Sequence, residues 1–207
     1  MIVAPDSLRA RKQRRTRDAI VDGAIRLFAE RGFDRTSVAD IAAAAEVGHR
    51  TFFRYFADKE EVLFAGDAEI LAALSAGLDT APVGAPPLAV AYRAGRAAAQ
   101  VLAGWADRAP TRERIIRAAP RLHARTLAKY DRYATEIERR LIGTHRTEPA
   151  QARLAAAVAV TCVRVAYQDW VTDTGRDLPA LVDTTFAHLA AVTGAPAPPV
   201  GDPAPPA

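Results

Sequence analysis

The chain has 207 residues, 50% of them hydrophobic, with 28 Lys and Arg against 24 Asp and Glu and a formal net charge of +4. That is ample apolar material for a core and more length than one small domain needs. Several classes are excluded: no apolar run reaches the roughly 18 residues of a membrane span, the lone Cys162 allows no internal disulfide, and neither a Cys/His cluster nor a Gly-rich loop is present to hold a metal or nucleotide cofactor. Met1-Ile-Val-Ala-Pro5 lacks the apolar core of a secretion signal. With the unpaired thiol, this points to a reducing cytoplasm.

From Ser7 to Arg17 the chain carries six basic residues and no acidic one. Residues 1–59 hold 12 Lys and Arg and 8 Asp and Glu, while residues 60–207 hold 16 of each. The whole net charge therefore sits at the N-terminal end. A surface that neutralises nucleic-acid phosphates needs this asymmetry, because each neutralised phosphate releases condensed counterions. A first helix follows from Thr16, with Ile20, Ala24, Leu27 and Phe28 on its inner face and Gly32 at its C-terminus.

Residues 36–59 read as two short helices around a tight turn. Ser37 can cap the first, and Asp40 stands where a capping box places its acid. Val38, Ile41, Ala42 and Ala45 then share one face. Glu46-Val47-Gly48 makes the turn, with Val47 inward. The second helix, about His49 to Phe56, buries Phe52 and Phe56 at i and i+4. His49, Arg50, Thr51, Arg54 and Tyr55 are left outward, with Phe53 at the boundary. A helix-turn-helix that enters a DNA major groove is built this way, although any amphipathic helix also needs a polar outer face.

The order of basic arm, first helix ending Leu27-Phe-Ala-Glu-Arg-Gly-Phe33, helix-turn-helix (about 37–56), and Tyr55-Phe-Ala-Asp-Lys-Glu60 resembles the DNA-binding domain of TetR-type transcriptional regulators over residues 14–74. The resemblance implies an all-α homodimer: an N-terminal three-helix DNA-binding domain, then an α-helical ligand-binding and dimerisation domain over 75–194. It also implies roles. Thr36 and Lys59 match phosphate contacts, as does Tyr55. His49, Arg50 and Thr51 match positions facing base edges or nearby phosphates, and Arg50 can bond two guanine acceptors at once. The candidate DNA contacts are Thr36, Ser37, His49, Arg50, Thr51, Phe53, Tyr55 and Lys59. Three positions depart from the family pattern. Glu46 and Phe53 replace a frequent Gly and Tyr, and Gly48 replaces a frequent Ser or Thr. Glu46 implies either a less left-handed backbone or a local energetic cost.

Beyond Lys59 the pattern predicts helices over Glu60–Leu78, Leu88–Arg108, Thr111–Ala118, Arg121–Ile142, Glu148–Thr174 and Asp177–Thr193. The fourth carries Leu122, Thr126, Tyr130, Tyr133, Ile137 and Leu141 along one stripe. Pro149 fits a first helical turn, and residues 195–207 read as a disordered Pro/Ala-rich tail. No strand pattern competes, and the high alanine content favours helix. The last two helices carry stripes suited either to the monomer core or to a partner: Leu154, Val158 and Val165 with Ala155, Ala159 and Ala166, then Leu181, Thr185, Phe186, Leu189 and Val192. In the family such helices pair across a two-fold axis to set two recognition helices on one operator.

The segment Arg112 to Tyr133 is similar to the C-terminal domain of mycofactocin-associated TetR-type regulators, which implies a small hydrophobic, acyl-CoA-like effector. Tyr92, Trp105, Leu122, Tyr130, Tyr167 and Trp170 are then the candidates to line an apolar tunnel. Arg121 and Arg125, with Arg117, are candidates for a basic mouth. Aromatic residues at this spacing equally serve a core. His49, His123, His145 and His188 are scattered without a nucleophile beside them, so an enzyme is not expected. The expected function is an operator-binding repressor released by its effector, with an activator or a constitutive DNA-binding protein as the alternative. The expected partners are double-stranded DNA, a second copy of the chain and the effector, and no membrane.

Overall fold

A computed structural model describes residues 8–82 and 84–194, and the tail expected over 195–207 lies outside the described residues. Among these, nine α-helices and one short 3-10 turn account for the regular structure, with no strand. The all-α expectation is borne out. The helices form two compact units.

The first unit takes the described residues up to Ala65 and adds Thr111–His123 from far along the chain. It opens with α1 (Leu8–Arg31), followed by α2 (Val38–Ala44) and α3 (His49–Tyr55) and a 3-10 turn over Glu61–Phe64. Helix α1 begins eight residues before Thr16, so the basic segment is helical from Leu8. Arg, Lys, Gln, Leu and Ala are all strong helix formers, and no Gly or Pro interrupts them before Gly23. The helix ends at Gly32, whose φ of 87° only glycine adopts freely and whose amide donates to the Phe28 carbonyl at 3.0 Å.

Ile20, Ala24, Leu27 and Phe28 of α1 share one core with Ile41 of α2, Phe52 of α3, Phe56, and Val62, Leu63 and Phe64 of the 3-10 turn. Three side chains from the later segment complete it: Ile115 and Ile116 of α6 (Ala109–Ala118) and Leu122 of α7 (Pro120–His145). Arg112 fastens the same segment, its Nε donating to the Leu63 carbonyl and its guanidinium lying 5.5 Å from the Phe64 ring centroid.

Glu46, in the turn between α2 and α3, has φ 52°. The left-handed backbone is therefore retained without glycine, at a cost of about 1–2 kcal/mol for a residue with a Cβ. Glu46→Gly is expected to raise the stability of this unit by about 0.5–1 kcal/mol, because the added freedom of glycine in the unfolded chain cancels part of the relief. The urea midpoint followed by helical circular dichroism reads it. An unchanged midpoint would mean that the glutamate is not strained there.

The helix expected over Glu60–Leu78 is broken. The 3-10 turn at Glu61–Phe64 precedes α4 (Asp67–Asp79). The Asp58 carboxylate accepts from the Glu61 amide at 2.6 Å, and the Glu61 carboxylate accepts from the Ala57 amide at 2.5 Å. Val62, Leu63 and Phe64 are all buried. Three consecutive inward side chains do not suit a surface α-helix, whose apolar face recurs every three to four residues.

The second unit contains α4, α5 (Pro87–Ala103), α7 from Ala124 onward, α8 (Pro149–Trp170) and α9 (Leu178–Thr193). Its core is rich in alanine: Ala91, Ala94, Ala98 and Ala99 on α5, and Ala152, Ala155, Ala156, Ala159 and Ala166 on α8. Small side chains let backbones approach closely. A Cβ placed on Gly77 of α4 would stand 2.6 Å from the Arg93 carbonyl oxygen of α5. Helix α5 stops at Ala103, short of the expected Arg108, and the indole of Trp105 lies where a Cβ on Gly66 would be, 1.6 Å from its Cη2.

Longer polar side chains fasten α7. At the start of α4, Asp67 receives Lys129 at 3.4 Å, Arg132 at 3.0 Å and the Tyr133 hydroxyl at 3.0 Å. At the other end of α4, Asp79 pairs with Arg140. Glu138 meets Arg153 of α8 at 3.3 Å.

Candidate nucleic-acid interface

Ser37 caps α2 through a complete capping box. Its hydroxyl accepts from the Asp40 amide at 3.1 Å and donates to the Asp40 carboxylate at 2.5 Å, which also accepts the Ser37 amide at 2.8 Å. The hydrogen bonds from the Ser37 hydroxyl and then its amide hold the Asp40 carboxyl below the usual carboxylate range, with a smaller contribution from Arg31. The box fixes where α2 begins and so where the turn and α3 fall.

Helix α3 presents one apolar and one open face. Phe52 and Phe56 are buried, with ring centroids 5.9 Å apart. His49, Arg50 and Arg54 are exposed, Thr51 and Tyr55 are half-buried, and Phe53 is 48% exposed. The Phe53 ring meets His49 edge-on at 4.9 Å, and the Arg54 guanidinium lies 5.2 Å from the Tyr55 ring. His49, Arg50, Phe53 and Arg54 are therefore open to solvent on α3, and Thr51 and Tyr55 are partly so. Gly48 caps α3 without a side-chain bond.

Two expected phosphate contacts have a different place. Thr36 is 1% exposed, and its hydroxyl donates to the Gly32 carbonyl at 2.9 Å. The Lys59 ammonium donates to the carbonyls of Phe33 and Thr36, each at 2.8 Å, and stands 4.6 Å from the Phe33 ring. These donors are spent on main-chain carbonyls at the junction of α1 and α2. They brace the motif from within.

The expected effector residues are dispersed. Arg121 and Leu122 belong to the first unit, where Leu122 is 0% exposed in the core and Arg121 pairs with Asp34 and Glu60. Arg117 is also in that unit, 2.7 Å from Glu113. In the second unit, Tyr92 is buried against Phe186, and its hydroxyl donates to Asp183 at 2.7 Å. Burial first, and then the Asp183 hydrogen bond, push this phenol up to about 12. Trp170 is buried beside Tyr167 and donates its indole N–H to the Arg176 carbonyl at 3.0 Å. Trp105, Arg125 and Tyr130 are half-buried, and the Lys129 ammonium lies 5.8 Å from the Tyr130 ring. Burial alone raises the Cys162 thiol, as expected for a packing residue.

Two short helices set around a tight turn, with a basic and aromatic open face and an apolar back, define a helix-turn-helix DNA-binding protein. The family model for bacterial regulatory proteins of the tetR family matches residues 20–65. The HTH-type transcriptional regulator TcmR of Streptomyces glaucescens is 37% identical over 188 residues, covering 84% of this chain and 81% of that protein. MftR of Mycobacterium tuberculosis, named for regulating mycofactocin biosynthesis, is 29% identical over 184 residues, covering 85% and 90%. The structure of Thermus thermophilus FadR, a repressor in complex with lauroyl-CoA, superposes with a TM-score of 0.51 at 25% identity, covering 92% of this chain and 98% of that one. The chain belongs to the TetR family of transcriptional regulators, which bind DNA and are not enzymes. Among the described residues, no helix is long and apolar enough to cross a membrane.

Proposed function

We propose that the protein is a homodimeric repressor that holds a double-stranded operator through α3 and leaves it when a small hydrophobic, acyl-CoA-like effector enters the second unit. The observation that carries this reading is the open face of α3, where Arg50 stands exposed beside His49, Thr51 and Phe53. Arg50 reads a guanine edge, while Ser37, His49 and Tyr55 set the register on phosphates. The basic face of α1 adds phosphate attraction along its first turns.

Dimerisation is supported by α8 and α9. Ala155, Ala159, Ala166 and Phe186 of the expected stripes are buried within the protomer. Leu154 remains 66% exposed and Val192 85%, with Val165 exposed as well. Around them on α8 stand Ala157, Thr161 and Gln168, and on α9 Thr184, Ala187 and Ala191, all exposed and uncharged. Such a stripe suits a partner of the same kind across a two-fold axis. An acyl-CoA-like effector is supported by the lauroyl-CoA bound to the Thermus thermophilus protein. The effector need only bind better to the state in which the two recognition helices no longer match the operator.

The test is a titration of the chain's own upstream intergenic DNA, at fixed salt, with and without long-chain acyl-CoA. Selective binding that acyl-CoA abolishes is the expected result. Binding indifferent to acyl-CoA discards that effector class and keeps the regulator. Arg50→Ala is expected to weaken operator binding by about 5- to 150-fold and to relax the preference at one base pair, the scale of one bidentate base contact. If Arg50→Ala leaves both unchanged, α3 is not the reading element.

A further inference from the structure

Arg121 is the second residue of α7, and Leu122 beside it is anchored in the core of the first unit. Its guanidinium reaches Asp34 Oδ1 at 2.5 Å and Glu60 Oε1 at 3.5 Å, and it lies 4.8 Å from the centroid of the Phe33 ring. These partners flank the helix-turn-helix. Phe33 and Asp34 precede α2, and Glu60 follows α3. One side chain from far along the sequence therefore holds both ends of the motif. Lys59 works on the same corner, with its ammonium bound to the Phe33 and Thr36 carbonyls and close to the Phe33 ring.

The motif needs such restraint. Helices α2 and α3 have seven residues each. Helices that short do not hold themselves in water and take their orientation from tertiary ties. Exposed ion pairs add little to stability one at a time. An arginine's planar fork can nonetheless reach two carboxylates from two different nitrogens, here Nη2 to Asp34 and Nε to Glu60, where a lysine offers a single nitrogen.

We propose that Arg121 is a positioning residue for operator recognition: it touches no DNA, and clasps Asp34 and Glu60 so that α3 is presented at one fixed angle. This rests on the DNA-reading role given to α3 above. The rest of α7 from Ala124 belongs to the second unit, so the clasp is carried by a helix shared between both.

The test uses the full-length protein and the operator found above, with an unrelated duplex as the non-specific control, over a series of salt concentrations. Arg121→Lys keeps the charge and removes the fork. It is expected to weaken operator binding by about three- to tenfold, the scale of one or two exposed ionic and cation–π ties. Non-specific affinity and the slope of log K against log salt stay at wild-type values, because no phosphate contact is lost. Asp34→Asn removes an exposed negative charge, which by attraction alone would tighten all DNA binding. As a broken clasp it weakens operator binding instead, and the double variant loses little more than either single one.

Unchanged operator affinity in Arg121→Lys overturns the proposal. So does a parallel loss on both duplexes in Arg121→Ala with a slope smaller by about 1, the signature of a direct phosphate contact. Tighter operator binding by Asp34→Asn overturns it as well. A wild-type protein that shows no preference for the operator overturns the functional reading itself, whereas a selective wild type with an indifferent Arg121→Lys overturns the clasp alone.

Discussion

Leu122→Ala is expected to cost the DNA-binding unit about 2–5 kcal/mol, the range for deleting a fully buried leucine side chain. Leu122 is 0% exposed and packs in one cluster with Phe28, Phe33 and Phe64. The loss has a transfer part and a cavity part, and rigid rings such as Phe28 and Phe33, packed 4.8 Å apart, cannot collapse freely into the space left behind. The consequence is that a substitution outside the helix-turn-helix unfolds it. Thermal unfolding followed together with operator binding reads the effect, with both failing at a lower temperature. A variant that melts as the wild type does would mean that residues 111–123 only lie against this unit without completing its core.

Gly77→Ala is expected to cost about 1–3 kcal/mol or more in the second unit, the scale of overpacking a filled interior. The added Cβ would meet the Arg93 carbonyl oxygen at 2.6 Å, the Ala94 Cα at 2.7 Å and the Arg93 carbonyl carbon at 2.9 Å. All three are backbone atoms, so no rotamer change relieves the clash, and α4 and α5 must separate. The sign is informative because helix propensity points the other way: alanine is favoured over glycine by about 1 kcal/mol inside a helix. Denaturant unfolding of the full chain decides which wins. A stabilised variant would mean that the α4–α5 approach is looser than the structure has it.

The helix-turn-helix was legible because everything that defines it is local. Ser37 and Asp40 are three residues apart, Phe52 and Phe56 four, and their spacing alone assigns cap and buried face. The ties that orient it were not legible. Arg121 and Asp34 stand 87 residues apart, and no periodicity links them. Only the acids flanking the motif, Asp34 and Glu60, hinted that a cation would be needed there. A hydroxyl or an ammonium serves a phosphate or a main-chain carbonyl equally well, so the bonds of Thr36 to the Gly32 carbonyl and of Lys59 to the Phe33 and Thr36 carbonyls were not legible either. The break before α4 was hidden because Val62-Leu63-Phe64 is a plain apolar run, which fits a buried turn as readily as a helix. Tyr92, Tyr167 and Trp170 were candidates for a lined tunnel through the family resemblance, while their spacing suited a core equally. What separates core from lining is where the polar tip goes, and for Tyr92 and Trp170 it goes to Asp183 and to the Arg176 carbonyl.

The indole of Trp105 lies against the backbone at Gly66, at the entry to α4. The chain has two tryptophans, and the other, Trp170, is fully enclosed. An enclosed indole emits at short wavelength, and one partly open to water emits further to the red and is reached by aqueous quenchers. The protein thus carries its own optical gauge at the first turn of α4. Any motion that lifts Gly66 away from Trp105 changes the red edge of the emission and leaves the blue edge alone, so a conformational response could be timed without attaching a dye.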